Sequence, residues 1–226
     1  MNNTKISWTE KSWNPVINCT KISAGCKECY AEKIAKRFPD TFGEFSKVTL
    51  KRERLNEPLK WRKPQMIFAV SMGDLFHKDV PSSYIKEVFN VMNNCPQHTF
   101  QILTKRAERL EELSPELNWT SNIWMGVSVE DNRYTNRITH LRSTCARIKF
   151  LSLEPLLGPI PHMDLKNISW VVVGGESSIK FRPMNKEWVL DILHQCRNNN
   201  IPFFYKQGSG FKKTDRNNLL DGKVYN

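Results

Sequence analysis

The chain has 226 residues, of which 39% are hydrophobic, and its formal charge at pH 7 is +11. No stretch is apolar for 18 residues or more, which argues against a membrane span, and the first residues contain no apolar signal-peptide core. We therefore expect a cytoplasmic protein with no membrane partner, in a compartment where free thiols and metal thiolates persist.

The positive charge is concentrated in two places. Residues 47–63 contain seven basic and two acidic side chains, and a second basic group follows near the C-terminus: Lys206, Lys212, Lys213 and Arg216. A basic face favours polyphosphate binding because bound counterions are released. The charge therefore predicts a nucleic acid or nucleotide as partner, although proteins that bind neither also have such faces.

Short apolar, β-branched runs alternate along the chain with longer polar segments of helical length. The predicted strands are Trp13–Cys19, Lys47–Glu53, Met66–Met72, Thr99–Lys105, Asn122–Val129, Arg147–Glu154, Ile168–Gly174 and Pro202–Gln207. The predicted helices are Tyr30–Arg37, Arg54–Trp61, Ser82–Asn93, Lys105–Leu113, Asp131–Ser143 and Lys186–Asn198. This alternation predicts a single α/β domain with a parallel sheet, either a (β/α)8-like barrel or a partial one. The polar residues 214–226 are predicted to fray.

Three cysteines lie close together after the first predicted strand. Cys19, Cys26 and Cys29 form the pattern C-x6-C-x2-C in a loop that spans residues 19–29. Three thiolates are soft ligands that suit an iron–sulfur cluster, and a [4Fe–4S] cluster with three cysteines keeps one iron open. A zinc site would need a fourth ligand, such as His77, and a loop without metal is the third alternative. The other cysteines are predicted to be buried structural thiols: Cys95, Cys145 and Cys196.

Polar residues recur at the carboxyl ends of the predicted strands, where parallel barrels place their chemistry. They are Ser71, Asp74, Lys105, Glu130, Glu154, Gly174, Gly175, Glu176, Lys206 and Gln207. Simpler roles remain open, since Asp74 could cap a helix and Glu154 could fix a turn before Pro155. Lys206 follows an apolar strand, so its ammonium group is expected to have an acidic partner among Glu130, Glu154 and Glu176.

Several longer motifs carry a family resemblance. They are, in order, WNPVINCTKISAGCKECYAE, SMGDLFH, SLEPLLGPI, VVVGGES, RPM and PFFYKQ. With these motifs the chain resembles the phage-encoded three-Cys-motif proteins, an uncharacterised family similar to radical S-adenosylmethionine (SAM) enzymes. The resemblance implies a [4Fe–4S] cluster on Cys19, Cys26 and Cys29, with the open iron binding the amino and carboxylate groups of SAM. A 5′-deoxyadenosyl radical would then take a hydrogen atom from the substrate.

The resemblance also implies roles around the cofactor. Tyr30 would pack on the cluster or the adenine, and Gly174, Gly175 and Glu176 would contact the amino group of SAM. Asp74 or Ser71 could bind that amino group instead. Two features differ from radical SAM enzymes: the first arm of the cysteine loop is three residues longer, and the Gly-Gly-Glu stretch follows the seventh predicted strand.

Three functional hypotheses follow. The first is a radical SAM enzyme acting on a nucleotide or nucleic acid, in which Lys105, Lys206 and Arg182 hold phosphate or carboxylate, Gln207 contacts substrate, and Glu130 and Glu154 orient or deprotonate it. The second is a non-catalytic nucleic-acid-binding phage protein stabilised by zinc or an iron–sulfur cluster. The third is a barrel enzyme that uses Lys206 and Glu154 for acid–base chemistry. A requirement for a partner protein is left open.

Overall fold

Seven short parallel strands form the centre of the molecule, in a computed structural model that describes residues 4, 6–211 and 218–225. The strands are β1 (Lys11–Trp13), β2 (Val16–Ile17), β3 (Thr49–Leu50), β4 (Met66–Ala69), β5 (Thr99–Thr104), β6 (Ile123–Ser128), β7 (Ile148–Leu153), β8 (Trp170–Gly174), β9 (Phe203–Gln207), β10 (Leu219–Leu220) and β11 (Lys223–Val224). The helices are α1 (Tyr30–Arg37), α2 (Pro39–Phe42), α3 (Ser82–Asn93), α4 (Ala107–Leu113), α5 (Asn136–Ser143) and α6 (Lys186–Asn198).

The main sheet has the order β1-β4-β5-β6-β7-β8-β9, and every neighbouring pair in it is parallel. It curls into a half-barrel with helices on its outer face. This confirms the predicted α/β class and the partial form of the barrel, with β1 at one edge and β9 at the other.

The second predicted strand is the main correction. Of Lys47–Glu53, only β3 is extended, and it pairs antiparallel with β2 outside the main sheet. The first predicted strand is also divided, into β1 and β2, because Pro15 between them has no N–H to donate to a neighbouring strand. Asn18 then turns the chain with a φ of 69°. These breaks leave seven strands in the sheet rather than eight.

The helices with clear amphipathic patterns lie where they are predicted. Helices α1, α3 and α6 have the predicted bounds, whereas Arg54–Trp61 forms only short 3₁₀ turns. Pro58 has no N–H to donate and interrupts that segment. Asp131 begins a 3₁₀ turn by accepting a bond from the backbone N–H of Arg133, and α5 starts only at Asn136.

Alternate strand residues pack on two different layers. Outward side chains such as Ile102 and Val127 form the large core under helices α3 to α6. Inward aromatic rings fill the floor of the half-barrel, where Trp8 lies 4.8 Å from Phe68 between ring centres. Because this floor is packed, the open space of the half-barrel lies at the carboxyl ends of the strands.

The described part of the C-terminal segment is a hairpin. Strands β10 and β11 pair antiparallel, Leu220 is buried, and the backbone N–H of Tyr205 donates to the carbonyl of Tyr225 at 3.0 Å. The remainder of the tail that is predicted to fray, 214–217 and 226, lies outside the described residues. Among the described helices, none combines the length and apolar character needed to cross a bilayer.

Candidate functional site

A cavity of about 400 Å³ lies at the carboxyl ends of the strands. This is the edge at which parallel half-barrels place ligands, and the volume is that of a small-molecule site. Twelve of the predicted site residues line it: Cys19, Cys26, Cys29, Tyr30, Ser71, Asp74, Lys105, Glu154, Gly175, Glu176, Lys206 and Gln207. The other three each contact a residue that lines it: Glu130 contacts Gly25, Gly174 contacts Glu154 and Arg182 contacts Glu176.

The three cysteines reach this cavity from different local structures. Cys19 follows β2, Cys26 ends a 3₁₀ turn (Ala24–Cys26), and Cys29 precedes the first residue of α1. All three are half-buried free thiols. Within the described ranges, no three His, Cys, Asp or Glu side chains converge on one position that could hold a single metal ion. The three cysteines line the same cavity.

The other cysteines are placed differently. Cys95 and Cys196 are buried, as predicted, whereas Cys145 is exposed. The prediction for Cys145 is wrong because the residue lies between α5 and β7, where the chain is at the surface.

Arg106 fixes the Cys19 arm of the loop. Its guanidinium donates from Nη1 to Cys19 Sγ at 3.4 Å and from Nη2 to the carbonyl of Thr20 at 3.0 Å. Burial raises the pKa of the Cys19 thiol to about 11, and the negative charge of Asp74 acts in the same direction. Without a ligand in the cavity, Cys19 is therefore a protonated thiol at neutral pH.

His77 supports the same arm from below. It is fully buried, its Nδ1 accepts a bond from the backbone N–H of Asp79, and its Nε2 lies 2.7 Å from the hydroxyl oxygen of Thr20. Burial lowers the pKa of His77, so the ring is neutral and Nε2–H is the donor to Thr20. With both ring nitrogens engaged, His77 is not free to act as the fourth ligand of a zinc site.

Glu130 anchors the other end of the first arm. Its side chain is fully buried, and it accepts bonds from the Ser23 hydroxyl at 2.5 Å and from Arg137 Nη1 at 2.8 Å. Gly25 passes so close that a Cβ there would lie 2.5 Å from Glu130 Oε1. Glu130 is therefore enclosed by the cysteine loop and α5, and in this position it supports the loop rather than facing a ligand.

The surroundings of Cys26 favour its thiolate more than those of Cys19. Burial acts to raise the pKa of Cys26, but the charge of Lys105 and hydrogen bonds from Ile22 and Ser23 outweigh it and lower the pKa overall. Lys105, which lines the cavity, thus stabilises negative charge on the sulfur of Cys26.

Asp74 organises the loops after β4 and β5. It accepts bonds from the backbone N–H of Phe76 at 3.0 Å and from the Thr104 hydroxyl at 2.7 Å. It also accepts from Arg106 Nη1 at 2.8 Å and from the backbone N–H of Lys105 at 3.3 Å. Both carboxylate oxygens are used in these bonds, so Asp74 acts here as a buried turn and ion-pair residue.

Tyr30 and Ser71 meet across the mouth of the cavity. The Tyr30 hydroxyl donates to the backbone carbonyl of Ser71, and the Ser71 hydroxyl donates to Asn14 Oδ1 at 3.2 Å. Because Tyr30 directly follows Cys29, this bond ties the start of α1 to the loop after β4.

Lys206 and Glu154 form the ion pair inside the cavity. Lys206 Nζ lies 2.8 Å from Glu154 Oε1, and both side chains are largely buried. Gly174 makes room for this carboxylate, since a Cβ there would lie 2.5 Å from Glu154 Oε1. The expected acidic partner of Lys206 is therefore Glu154, which follows β7, two strands away from β9 in the sheet.

The Gly-Gly-Glu stretch has a different local structure from the one that the sequence suggests. Both carboxylate oxygens of Glu176 bind the guanidinium of Arg182, whose backbone N–H also donates at 2.8 Å. Gly175 lies against the backbone of Ser209, where a Cβ would be 2.3 Å from the nitrogen. The sequence predicts a ligand for Glu176 and another for Arg182, whereas the two side chains bind each other; their ligand roles stay predictions.

Sequence reasoning missed the residues that support the loop. Arg137 is the clearest case, because it lies on the same face of α5 as buried Leu141, four residues later. A charged residue on a buried helical face signals a buried partner, here Glu130. Ser23 offered no comparable signal, because its partner is 107 residues away.

Comparisons with known proteins give a fold and a family. The chain is similar in structure to a spore photoproduct lyase mutant with bound AdoMet and dinucleoside spore photoproduct, with a TM-score of 0.50 and 11% sequence identity. The match covers 76% of this chain and 58% of the other, so this chain spans less than two thirds of that protein. At this identity the likeness shows a shared fold. A search of curated protein sequences finds no match. The family model described as "Protein of unknown function (DUF5131)" matches residues 3–226, and the chain is a member of that family.

Proposed function

We propose that this protein is a radical SAM enzyme in which Cys19, Cys26 and Cys29 hold a [4Fe–4S] cluster. The observation that carries the proposal is that three free thiols line one cavity at the carboxyl ends of a parallel half-barrel. The similar solved structure, which has the same kind of fold, contains bound AdoMet.

The donor set fits a cluster better than a single ion. In a [4Fe–4S] cluster each thiolate binds a different iron, so the three sulfurs need not converge on one position. A structural zinc ion needs four ligands at one centre, and the two ring nitrogens of His77 are already hydrogen-bonded. When bound, a three-cysteine cluster with SAM supplies reductive cleavage of the sulfonium to a 5′-deoxyadenosyl radical.

The chain's own residues position and shield the reacting groups. Arg106 and Glu130 hold the two ends of the longer loop arm, and the aromatic floor under the cavity keeps water out from below. In this proposal Lys206 binds a carboxylate or phosphate of a ligand, and its ion-pair partner Glu154 orients an amino or hydroxyl group beside it. Lys105 stabilises the thiolate of Cys26.

The substrate class that we propose is a nucleotide or nucleic acid. Its support is the net charge of +11 together with the basic side chains near the cavity. A cytoplasmic location within a phage-infected host and the three-Cys-motif assignment fit this function and stay predictions, as does any partner protein.

Anaerobic purification tests the cluster directly. We expect about four irons and a matching amount of sulfide per chain, a broad visible absorption that bleaches with dithionite, and 5′-deoxyadenosine formed from SAM under reduction. A chain that contains one zinc ion, no sulfide and no activity toward SAM would refute the proposal.

A matched pair of cysteine variants separates ligation from a general thiol effect. Cys26→Ala should lose iron and SAM cleavage, whereas Cys145→Ala, which removes an exposed thiol outside the cavity, should retain both. Equal iron content in the two variants would show that Cys26 is not a ligand.

A further inference from the structure

A second cavity, of about 600 Å³, lies beside the cysteine cavity. Its walls come from the cysteine loop, the loop after β4, the start of α4, and the segment from the loop after β6 into α5. Lys105 and Arg106 line both cavities, so the two adjoin at these side chains.

The lining of this second cavity is strongly basic. Its cations are Lys78, Lys105, Arg106, Arg109, Arg133 and Arg137, and the only carboxylate among its lining residues is Glu108. Such a concentration of one charge in a concave surface attracts ligands of opposite sign.

Some of this charge is already neutralised from behind. Arg106 pairs with Asp74, Arg133 with Asp131, and Arg137 with Glu130. These arginines are held in place by their partners and present only part of their charge to the cavity.

Three cations remain under-compensated. Lys78 is exposed and makes no ion pair with a described residue, and Lys105 reaches Glu130 only at 3.9 Å, where Arg137 is closer. The Arg109 guanidinium donates to two backbone carbonyls, those of His77 and Val80, which fix its position without cancelling its charge. The six cations of the lining face four carboxylates, namely Glu108 in the lining and the partners Asp74, Asp131 and Glu130. The cavity therefore has a net charge of two positive units.

We propose that this basic cavity binds phosphate groups of the substrate, with a single-stranded nucleic acid as their source. This binding proposal depends on the proposed function in one respect: the reacting group of the bound substrate would extend past Lys105 and Arg106 toward the three cysteines. Fixed guanidinium groups and a free ammonium group are the donors that phosphate oxygens prefer. Tyr134, which lies against Arg137 at 4.4 Å, adds a ring at the wall on which a base can stack.

The test is a binding measurement that does not depend on turnover. The anaerobically prepared protein is titrated against a fluorescein-labelled single-stranded DNA of about twelve nucleotides, in salt from about 50 to 200 mM. Lys78→Glu should weaken binding about 5-fold and reduce the salt slope by about 0.7, because one phosphate contact is lost. The control is Lys166→Glu, which reverses an exposed lysine in the segment before β8 that lines neither cavity and belongs to neither basic group; it should leave the affinity and the salt slope unchanged.

The outcomes are distinct. Equal weakening by both variants, or no binding by the parent protein, overturns the proposal. Displacement of the oligonucleotide by ADP with the same sensitivity to Lys78→Glu retains the phosphate site and assigns it to free nucleotides. Lys78→Gln removes the same charge without reversing it and should weaken binding less. A thermal melt of each variant verifies that the proteins compared are folded. Iron content and SAM cleavage are measured separately, so a failed cluster with intact oligonucleotide binding refutes the proposed function alone.

Discussion

Replacing Glu130 by alanine should destabilise the protein strongly, although Glu130 does not face the cavity. The carboxylate is fully buried and pairs with the Arg137 guanidinium, whose side chain is only 8% exposed. Without it, Arg137 keeps one bond, to the carbonyl of Ser128 at 2.8 Å, and a buried charge without a counter-charge. Breaking such a pair from one side costs about 3–5 kcal/mol.

Urea unfolding measures this loss of stability. The protein is first treated with a chelator, because metal release during unfolding would make the transition deviate from two-state behaviour. The control is Glu116→Ala, which removes a carboxylate that pairs with Lys86 at 2.6 Å at the surface, with both side chains about half exposed. We expect that change to cost at most about 1 kcal/mol. If Glu130→Ala costs no more than the control, the buried pair is not what stabilises this region.

A double variant separates stability from loop support. Glu130→Leu with Arg137→Met replaces both charges by apolar groups, so most of the lost stability should return. The Ser23 hydroxyl would still lack its acceptor, and Gly25 would lose the carboxylate against which it packs. We therefore expect a stable protein that still incorporates less iron than the parent. Full iron content in the double variant would refute the anchoring role of Glu130.

Three further changes test the packing and the charges. Gly126→Ala should cost about 1–3 kcal/mol in urea unfolding, because the new Cβ would lie 2.5 Å from the Phe150 ring, and Phe150→Leu should be less costly in that variant than in the parent. Burial lowers the pKa of His98, so the unfolded state binds more protons; stability should be full above about pH 6.5 and fall as the pH drops through the folded-state pKa. In His98→Leu the free energy of unfolding should change less between neutral and acidic pH, and an unchanged slope would contradict the assignment. A double-mutant cycle of Glu154→Gln and Lys206→Met should give a coupling of about 1 kcal/mol, and a value of zero would show that their 2.8 Å contact is not maintained in solution.

Local patterns made the helices predictable. The Ser82–Asn93 helix follows Pro81, and the Lys186–Asn198 helix begins after Asn185, whose side chain caps it by accepting from Glu187. Buried apolar residues recur at helical spacing in both. These signals are contained within a dozen residues, so no knowledge of the remaining fold is needed.

The pairings between distant segments could not be predicted in this way. The run Val-Thr-Leu at 48–50 is β-branched and apolar like a short strand, but Thr49–Leu50 pairs with Val16–Ile17 in an antiparallel pair outside the main sheet. Likewise, the strand-end rule places Glu176 near the cavity, but the rule does not specify that Arg182 occupies its carboxylate. A periodic pattern identifies the type of an element, whereas its partner depends on contacts set by the whole fold.

The six-residue arm between Cys19 and Cys26 is ordered by such distant contacts. An arm of this length has many conformations without a ligand, and ordering them costs free energy. The structure fixes the arm near both ends, with Arg106 on Thr20 and Glu130 on Ser23. Each bond involves a charged group, which makes it stronger than a neutral hydrogen bond. The spacing between the cysteines can therefore lengthen while their sulfurs still line one cavity, because anchors from the strand ends, rather than the length of the arm, determine where the thiols lie.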